Sequence, residues 1–218
     1  MPNPFDQSTY QVRLDWGGEG LGRLAAADVV VVVDVLRFSS TVADAVAAGA
    51  TVSLTDAGEW SRNGAAVAAA AEGATVLLGS VRNAGAVARA IAVEQERRQA
   101  RTSVAVIAAG ELDSTGGLRF AVEDHLGAGA VIAALTDLGI DHTAPDAAVA
   151  AEGFRALRRA LRHMLSASGS AREIADGVPA TDRMRAAGLT PTTATDAAEL
   201  DAIDAVPVLR DGVFVAFA

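Results

Sequence analysis

Cysteine is absent from the sequence. The chain therefore has no thiol nucleophile, no disulfide framework and no cysteine-ligated zinc. Lysine is missing too, since all 18 basic residues are arginine. Coding bias in a GC-rich genome would produce the same shortage, but the chemical exclusion holds either way: Schiff-base chemistry and the P-loop lysine are ruled out, and arginine is left as the one strong side-chain ligand for anions. Aromatic residues make up only 4 %, so a core has to be built mainly from Ala, Val and Leu. No apolar run approaches the ~18 residues of a membrane span, and the opening MPNPFDQSTYQVR has neither a basic start nor an apolar h-region. The expectation is a cytoplasmic protein that does not engage membranes. A net charge of -9 argues against a nucleic-acid surface, which needs a basic face; any anionic ligand must be bound locally.

What is present is an alternation of short β-branched runs and Ala-rich segments. At 218 residues and 51 % hydrophobic, the chain can bury a substantial core, and a single domain over residues 1–218 is expected, with a sub-division placed near 135–145. Strands are predicted at Gln11 to Leu14, Val29 to Val33, Thr51 to Leu54, Thr75 to Leu78 and Ser103 to Ala108. Between them Thr41 to Ala48, Gly64 to Glu72 and Ala84 to Arg98 suit helices. Val29 to Val33 and Val104 to Ile107 lack polar alternation, as strands covered on both faces do. The fold class is α/β, with a largely parallel sheet flanked by helices. The C-terminal half reads as helical, over Val122 to Leu135 and Pro145 to Leu165, with a looser stretch from Met184 onward. It ends in a small hairpin around Arg210-Asp211-Gly212, where Pro207 argues for an edge position.

Gly20-Leu21-Gly22-Arg23-Leu24-Ala25 fits G-x-G-x-x-A, but about five residues separate it from the next strand, and a crossover helix between parallel strands needs a dozen or more. No dinucleotide site is expected there. The run VVVVVDVLRFSST, Val29 to Thr41, is more informative. Asp34 stands where a buried strand ends, the place where open α/β sheets bind ligands. Arg37 follows three residues later, and Ser39, Ser40 or Thr41 can cap the following helix. A free helix N-terminus, a guanidinium and a carboxylate able to hold Mg²⁺ together suit a phosphate ester. Equally, Asp34 could cap a turn and Arg37 pair with it. A second cluster, Ala108 to Ala130, carries Glu111, Asp113, Glu123 and Asp124 with Arg119 and His125. Its oxygen-rich set suits Mg²⁺ better than zinc, while a plainer role for Glu123 or Asp124 is to oppose the helix dipole. His125 lacks a His or Cys partner and reads as a surface or supporting residue. The third element, Gly79-Ser80-Val81-Arg82-Asn83-Ala84, lies between a strand and a helix, and can either bind an oxyanion or cap the helix.

Taken together, DVVVVVDVLRFSSTVADAVAAGA, LLGSVRNAGAVARAI, VIAAGE…LRFAVEDHLGAGAVIAAL and DAVPVLRDGVF resemble, in that order, the 2-phosphosulfolactate phosphatase family, the ComB-like proteins. The resemblance covers nearly the whole chain. It implies a Mg²⁺-dependent phosphatase that hydrolyses a small anionic phosphate monoester. Asp34, Glu123 and Asp124 would be metal or acid-base carboxylates. Arg37 would join them in catalysis, and Ser39, Ser40, Thr41, Asn63, Gly64, Ser80, Asn83 and Glu111 would surround the substrate. Two departures stand out. The family's Gly-Glu-Arg-Gly-Gly and Asn-Ser-Pro elements have no room here, because only TDAGEW lies between Leu54 and Ser61. Its Thr-Asn-Gly-Thr turn survives as Ser61-Arg62-Asn63-Gly64, with Ala65 where a hydroxyl is expected. Asp34 is followed by Val35 and Leu36, so the Asp-x-Asp start of aspartyl-phosphate phosphatases is absent and direct attack by water is the default. The alternative is a divergent member without phosphatase activity that binds an anionic metabolite or a protein partner, with Trp60 and Arg62 exposed for that contact, or one that catalyses a different reaction. Ala-rich helix faces and the hairpin would suit a homodimer.

Overall fold

A computed structural model describes residues 3–113 and 115–218. The first strand, β1 (Val12–Trp16), leads through a short helix α1 (Gly17–Arg23) into β2 (Val29–Val33) and α2 (Phe38–Ala47). Next come β3 (Val52–Ser53), α3 (Leu54–Gly58), α4 (Gly64–Ala70) and β4 (Thr75–Gly79), then α5 (Ala84–Arg98) and β5 (Val104–Ala108). A two-stranded ribbon, β6 (Glu111–Leu112) and β7 (Leu118–Arg119), precedes α6 (Val122–Asp137) and α7 (Pro145–Leu157). The remainder holds α8 (Leu161–Ser166), α9 (Gly169–Asp176), α10 (Pro179–Ala186), α11 (Ala194–Ala197) and the hairpin β8 (Pro207–Arg210) and β9 (Val213–Ala216).

Seven strands form one sheet in the order β1-β5-β2-β4-β8-β9-β3. The first four are mutually parallel and the hairpin is antiparallel to β4. Every residue of β2 and β5 is buried. Val29, Val31 and Val33 pack with α5 to α8, whereas Val30 and Val32 pack with residues of α2 and α4 and with Met184. Two helical layers thus cover the sheet, which is why these strands show no polar alternation. The α/β class with a largely parallel sheet is as expected.

Local differences have local causes. Only Val52 and Ser53 of the predicted third strand extend, because Ser53 Oγ accepts the Asp56 amide and starts α3 at Leu54. The long helix from Pro145 breaks at Arg158–Ala160, a tighter 3₁₀ turn. The hairpin turn is tight, with Arg210 paired to Val213 and positive φ at Asp211 (50°) and Gly212 (77°), as a two-residue turn requires. Pro207 is not at the sheet's edge: β8 lies between β4 and β9, and the edge is β3. As the first residue of its strand, Pro207 fits there without a missing ladder bond. Among the described residues, no helix is long and apolar enough to cross a membrane.

Candidate active site

The parallel strands β2 and β5 end side by side, and the loops that follow them carry the chemistry. Asp34 directly follows β2 and is 9 % exposed. Its Oδ1 accepts the Phe38 amide at 3.2 Å and its Oδ2 the Gly64 amide at 3.2 Å, with the Ser61 hydroxyl at 3.4 Å. The carboxylate is therefore held between the starts of α2 and α4. Gly64 is required at that point, since a Cβ there would lie 2.4 Å from the Phe38 ring and 2.7 Å from Asp34 Oδ2.

Glu123 and Asp124 occupy the first turn of α6, and both are buried. Asp124 does more than oppose the helix dipole. Its two oxygens accept the amides of Val35 at 2.7 Å and Gly110 at 2.9 Å, fastening the loops after β2 and β5 to one helix. Asn63 adds a third tie, donating to the Gly110 carbonyl at 2.6 Å. Glu123 accepts no side-chain hydrogen bond among the described residues, which leaves its carboxylate uncommitted. Glu111 follows β5 at the start of the ribbon and is met by Ser170 of α9 at a loose 3.5 Å.

These carboxyl groups repel one another. Burial pushes Asp34 up to about 6, against the pull of the Phe38 and Gly64 amides and with the Glu123 charge adding to the rise. Burial likewise raises Glu111 to about 7, reinforced by Asp34, Glu173 and Glu123. Asp124 rises well above its ordinary value, first through burial and then through Asp34 and Glu123. Among the described residues, no three His, Asp or Glu side chains converge as a ready-made metal cage.

Arg37 supplies the cation. Three arginines are buried among the described residues, and two have their donors occupied. Arg13 bonds the carbonyls of Ser8, Tyr10, Ala25 and Ala26. Arg82 meets Asp44, Glu199 and the Asp196 carbonyl. Among the described residues, Arg37 donates only to the Thr181 hydroxyl, and none of its unpaired nitrogens is sealed from solvent. Burial pulls its pKa below the ordinary arginine value, with Asp34 opposing the change. A guanidinium carries five N–H donors in a rigid fork, so several face open space.

That space is a cleft of ≈ 320 Å³ above the C-terminal ends of β2 and β5, lined by Asp34, Arg37, Asn63 and Glu111 on one side. Residues of α9 and α10, including Glu173, Ile174, Pro179, Arg183 and Met184, form the other. Phe38 and Trp60 supply apolar wall, their rings 5.7 Å apart.

Several residues singled out in the sequence lie elsewhere. Ser39 is wholly buried, donating to the Val32 carbonyl and accepting the Asp34 amide, both at 3.0 Å. Ser40 is also sealed from solvent, and Thr41 accepts the Thr192 amide. None of the three caps α2, whose first amides are taken by Asp34 instead. Ser80 and Asn83 form a buried capping box. Asn83 also donates to the carbonyls of Leu78 and Ala205, so both face the interior rather than the cleft. Trp60 is only 6 % exposed, contrary to the exposed contact expected of it, because it fills the core beside Phe38; Arg62 is exposed. His125 is half-buried and stacks on Trp16, with centroids 6.1 Å apart. The residues missed were those of α9 and α10. A readable signal existed in Val178-Pro179-Ala180-Thr181, since proline favours the first position of a helix.

Asp34, Arg37 and Glu111 thus line one cleft at the carboxyl edge of an α/β sheet, the place where open sheets bind ligands, and Glu123 and Asp124 are not among its lining residues. The family model for 2-phosphosulpholactate phosphatase matches residues 60–212, and the chain belongs to that family. The matched stretch contains Asn63, Glu111, Glu123, Asp124 and the α9–α10 wall, and Asp34 and Arg37 precede it. No curated protein matches the chain.

Proposed function

We propose that the chain hydrolyses a small anionic phosphate monoester, as its family's name suggests. The observation that carries this reading is Arg37, a buried arginine with one protein partner whose other donors open onto a carboxylate-lined cleft. Planar guanidinium groups bind phosphate oxygens in pairs, and burial strengthens that attraction by excluding water.

In this reading Arg37 grips the phosphoryl oxygens and orients phosphorus toward the carboxylates. Glu111 is then the general base. It lines the cleft, and a carboxyl raised to about 7 has the proton affinity to accept a proton from an attacking water near neutral pH. With no cysteine in the chain, direct attack by water is the simplest course.

The donor set also fits Mg²⁺, which is usually held by one or two carboxylates with water and phosphate completing its shell. A three-carboxylate cage is therefore unnecessary. Asp34, which lines the cleft, and Glu123, whose charge reaches it, would hold the ion; Asp34 and Asp124 each already carry a backbone amide on both oxygens. When bound, Mg²⁺ would offset the crowded negative charge and polarise the phosphoryl oxygens. A cytoplasmic location and a homodimer belong to the same proposal. The dimer is supported by Leu138 and Val149, 51 % and 68 % exposed near the α6–α7 pair.

The test is phosphate release from phosphosulfolactate and a panel of small monoesters, with Mg²⁺ and with chelator, beside Arg37→Gln. Chelator-sensitive release that falls about 100-fold or more in the variant is expected, as for loss of a charge-assisted phosphate contact. Absence of release from every ester would refute the reading.

A further inference from the structure

We infer that Thr181 is a positioning residue for the anion site, setting the guanidinium of Arg37 from across the cleft. The inference rests on the reading of Arg37 as the phosphate ligand. Thr181 belongs to α10, 144 residues away in sequence from the arginine it touches. Its hydroxyl is the one described acceptor for the Arg37 side chain. The other buried arginines show what this scarcity means. Arg13 and Arg82 are each fixed by several acceptors, at least three of them oxygens of separate residues, and so have few donors to spare. An arginine meant to receive a ligand must keep most donors free. Yet a side chain with four rotatable bonds and no anchor would lose substantial rotamer entropy on binding. One neutral hydroxyl resolves the conflict, because it fixes the fork without supplying a competing negative charge.

The anchor itself is held in place. Pro179 begins α10 with its backbone angle already helical, and the Thr181 amide donates to the Val178 carbonyl at 3.0 Å. Met184, one turn further along the helix, is buried in the core face shared with Val30 and Phe38. Docking of α10 on that face therefore brings the hydroxyl to Arg37. Val178, Pro179 and Ala180 also line the cleft, so the same helix both walls the site and aims its cation.

Thr181→Val removes the hydroxyl and keeps the branched shape, while Thr181→Ser restores a donor and acceptor. We expect Thr181→Val to weaken binding of inorganic phosphate, measured by calorimetry, and to lower kcat/KM, each by roughly 10-fold, the usual effect of one lost hydrogen bond to a charged group. Thr181→Ser should return both to within about twofold of the parent, and Thr181→Val should cause no further loss in an Arg37→Gln background. The Nη1–H resonance of Arg37, protected by the contact, should disappear in Thr181→Val and return in Thr181→Ser. Persistence of that resonance in Thr181→Val overturns the inference, as does an equal loss of phosphate affinity in the Arg37→Gln background. If the resonance responds as expected while the parent hydrolyses no ester, the positioning role stands and the phosphatase reading fails. Should Arg37→Gln not fold, the resonance in the two Thr181 variants decides alone.

Discussion

The carboxylate of Asp124 accepts the amide of Val35 at 2.7 Å, tying the start of α6 to the loop that leaves β2. Its second oxygen holds Gly110 at 2.9 Å, so one side chain determines the spacing between the two loops that carry Asp34, Arg37 and Glu111. Phe38 and Gly64 restrain Asp34 in a similar manner from the opposite flank. The site is thus assembled by carboxylates that bind backbone amides.

Asp124→Asn tests the tie. An amide side chain offers one acceptor where two backbone N–H groups need one each, so a buried donor is left facing another donor. Urea unfolding should show a loss of about 1–3 kcal/mol, the cost of one unsatisfied buried group. Turnover should fall with it, because both loops loosen together. An unchanged unfolding midpoint would show that Asp124 is dispensable for the loop geometry.

Glu111 predicts a pH signature. Its pKa is raised from 4.5 to about 7 in the folded chain, so the folded state binds that proton more tightly than the unfolded state does. The contribution to stability is fully present below about 4.5 and is lost as pH rises through about 7. Glu111→Gln removes this dependence. The stability of the parent relative to the variant should therefore decline between these limits and stay flat on either side. The activity of the parent should rise through the same range, and the variant should lack that limb. A pH difference curve with no slope between about 4.5 and 7 would refute the assignment.

Asn83 separates scaffold from site. Its side chain accepts the Ser80 amide and donates to Leu78 and Ala205, all inside the protein. Asn83→Ala should destabilise by about 1–3 kcal/mol through the buried groups it abandons, with KM for the ester unchanged in the protein that remains folded. A raised KM at unaltered stability would return Asn83 to the substrate's surroundings.

Much of this architecture is legible in the residues themselves, for identifiable reasons. Five consecutive valines can hardly be anything but a strand covered on both faces, and a charged residue that ends such a run must emerge at a sheet edge. That places Asp34 and Arg37 at the edge, while leaving open whether they bind a ligand or serve as a cap and its pair. The hydroxyls after them are not placed in this way, because whether Ser39 points to solvent or to the Val32 carbonyl depends on how α2 enters, and Asp34 takes the capping role that a serine was expected to fill. Glu123 and Asp124 were recognisable as a pair, but their division of labour depends on amides contributed by distant loops. The α9–α10 wall was least legible. Its helices are short, with few apolar residues, and they acquire their position from docking against the core rather than from a strong periodic pattern. Pro207 misled for the opposite reason: a local rule about edges was applied where β4 still lacked a neighbour, and the hairpin supplied it.

The short strand β3 pairs Val52 with Phe214 and Ser53 with Val213, in a hairpin far downstream of it. During vectorial synthesis β3 leaves the ribosome early and has no partner until β9 emerges, after the whole site-bearing region has been made. Contacts this distant in sequence are slow to form. Closure of the sheet consequently follows synthesis of the site-bearing region, and a chain interrupted before β9 would present both an unpaired β3 and an unfinished β8 to its surroundings.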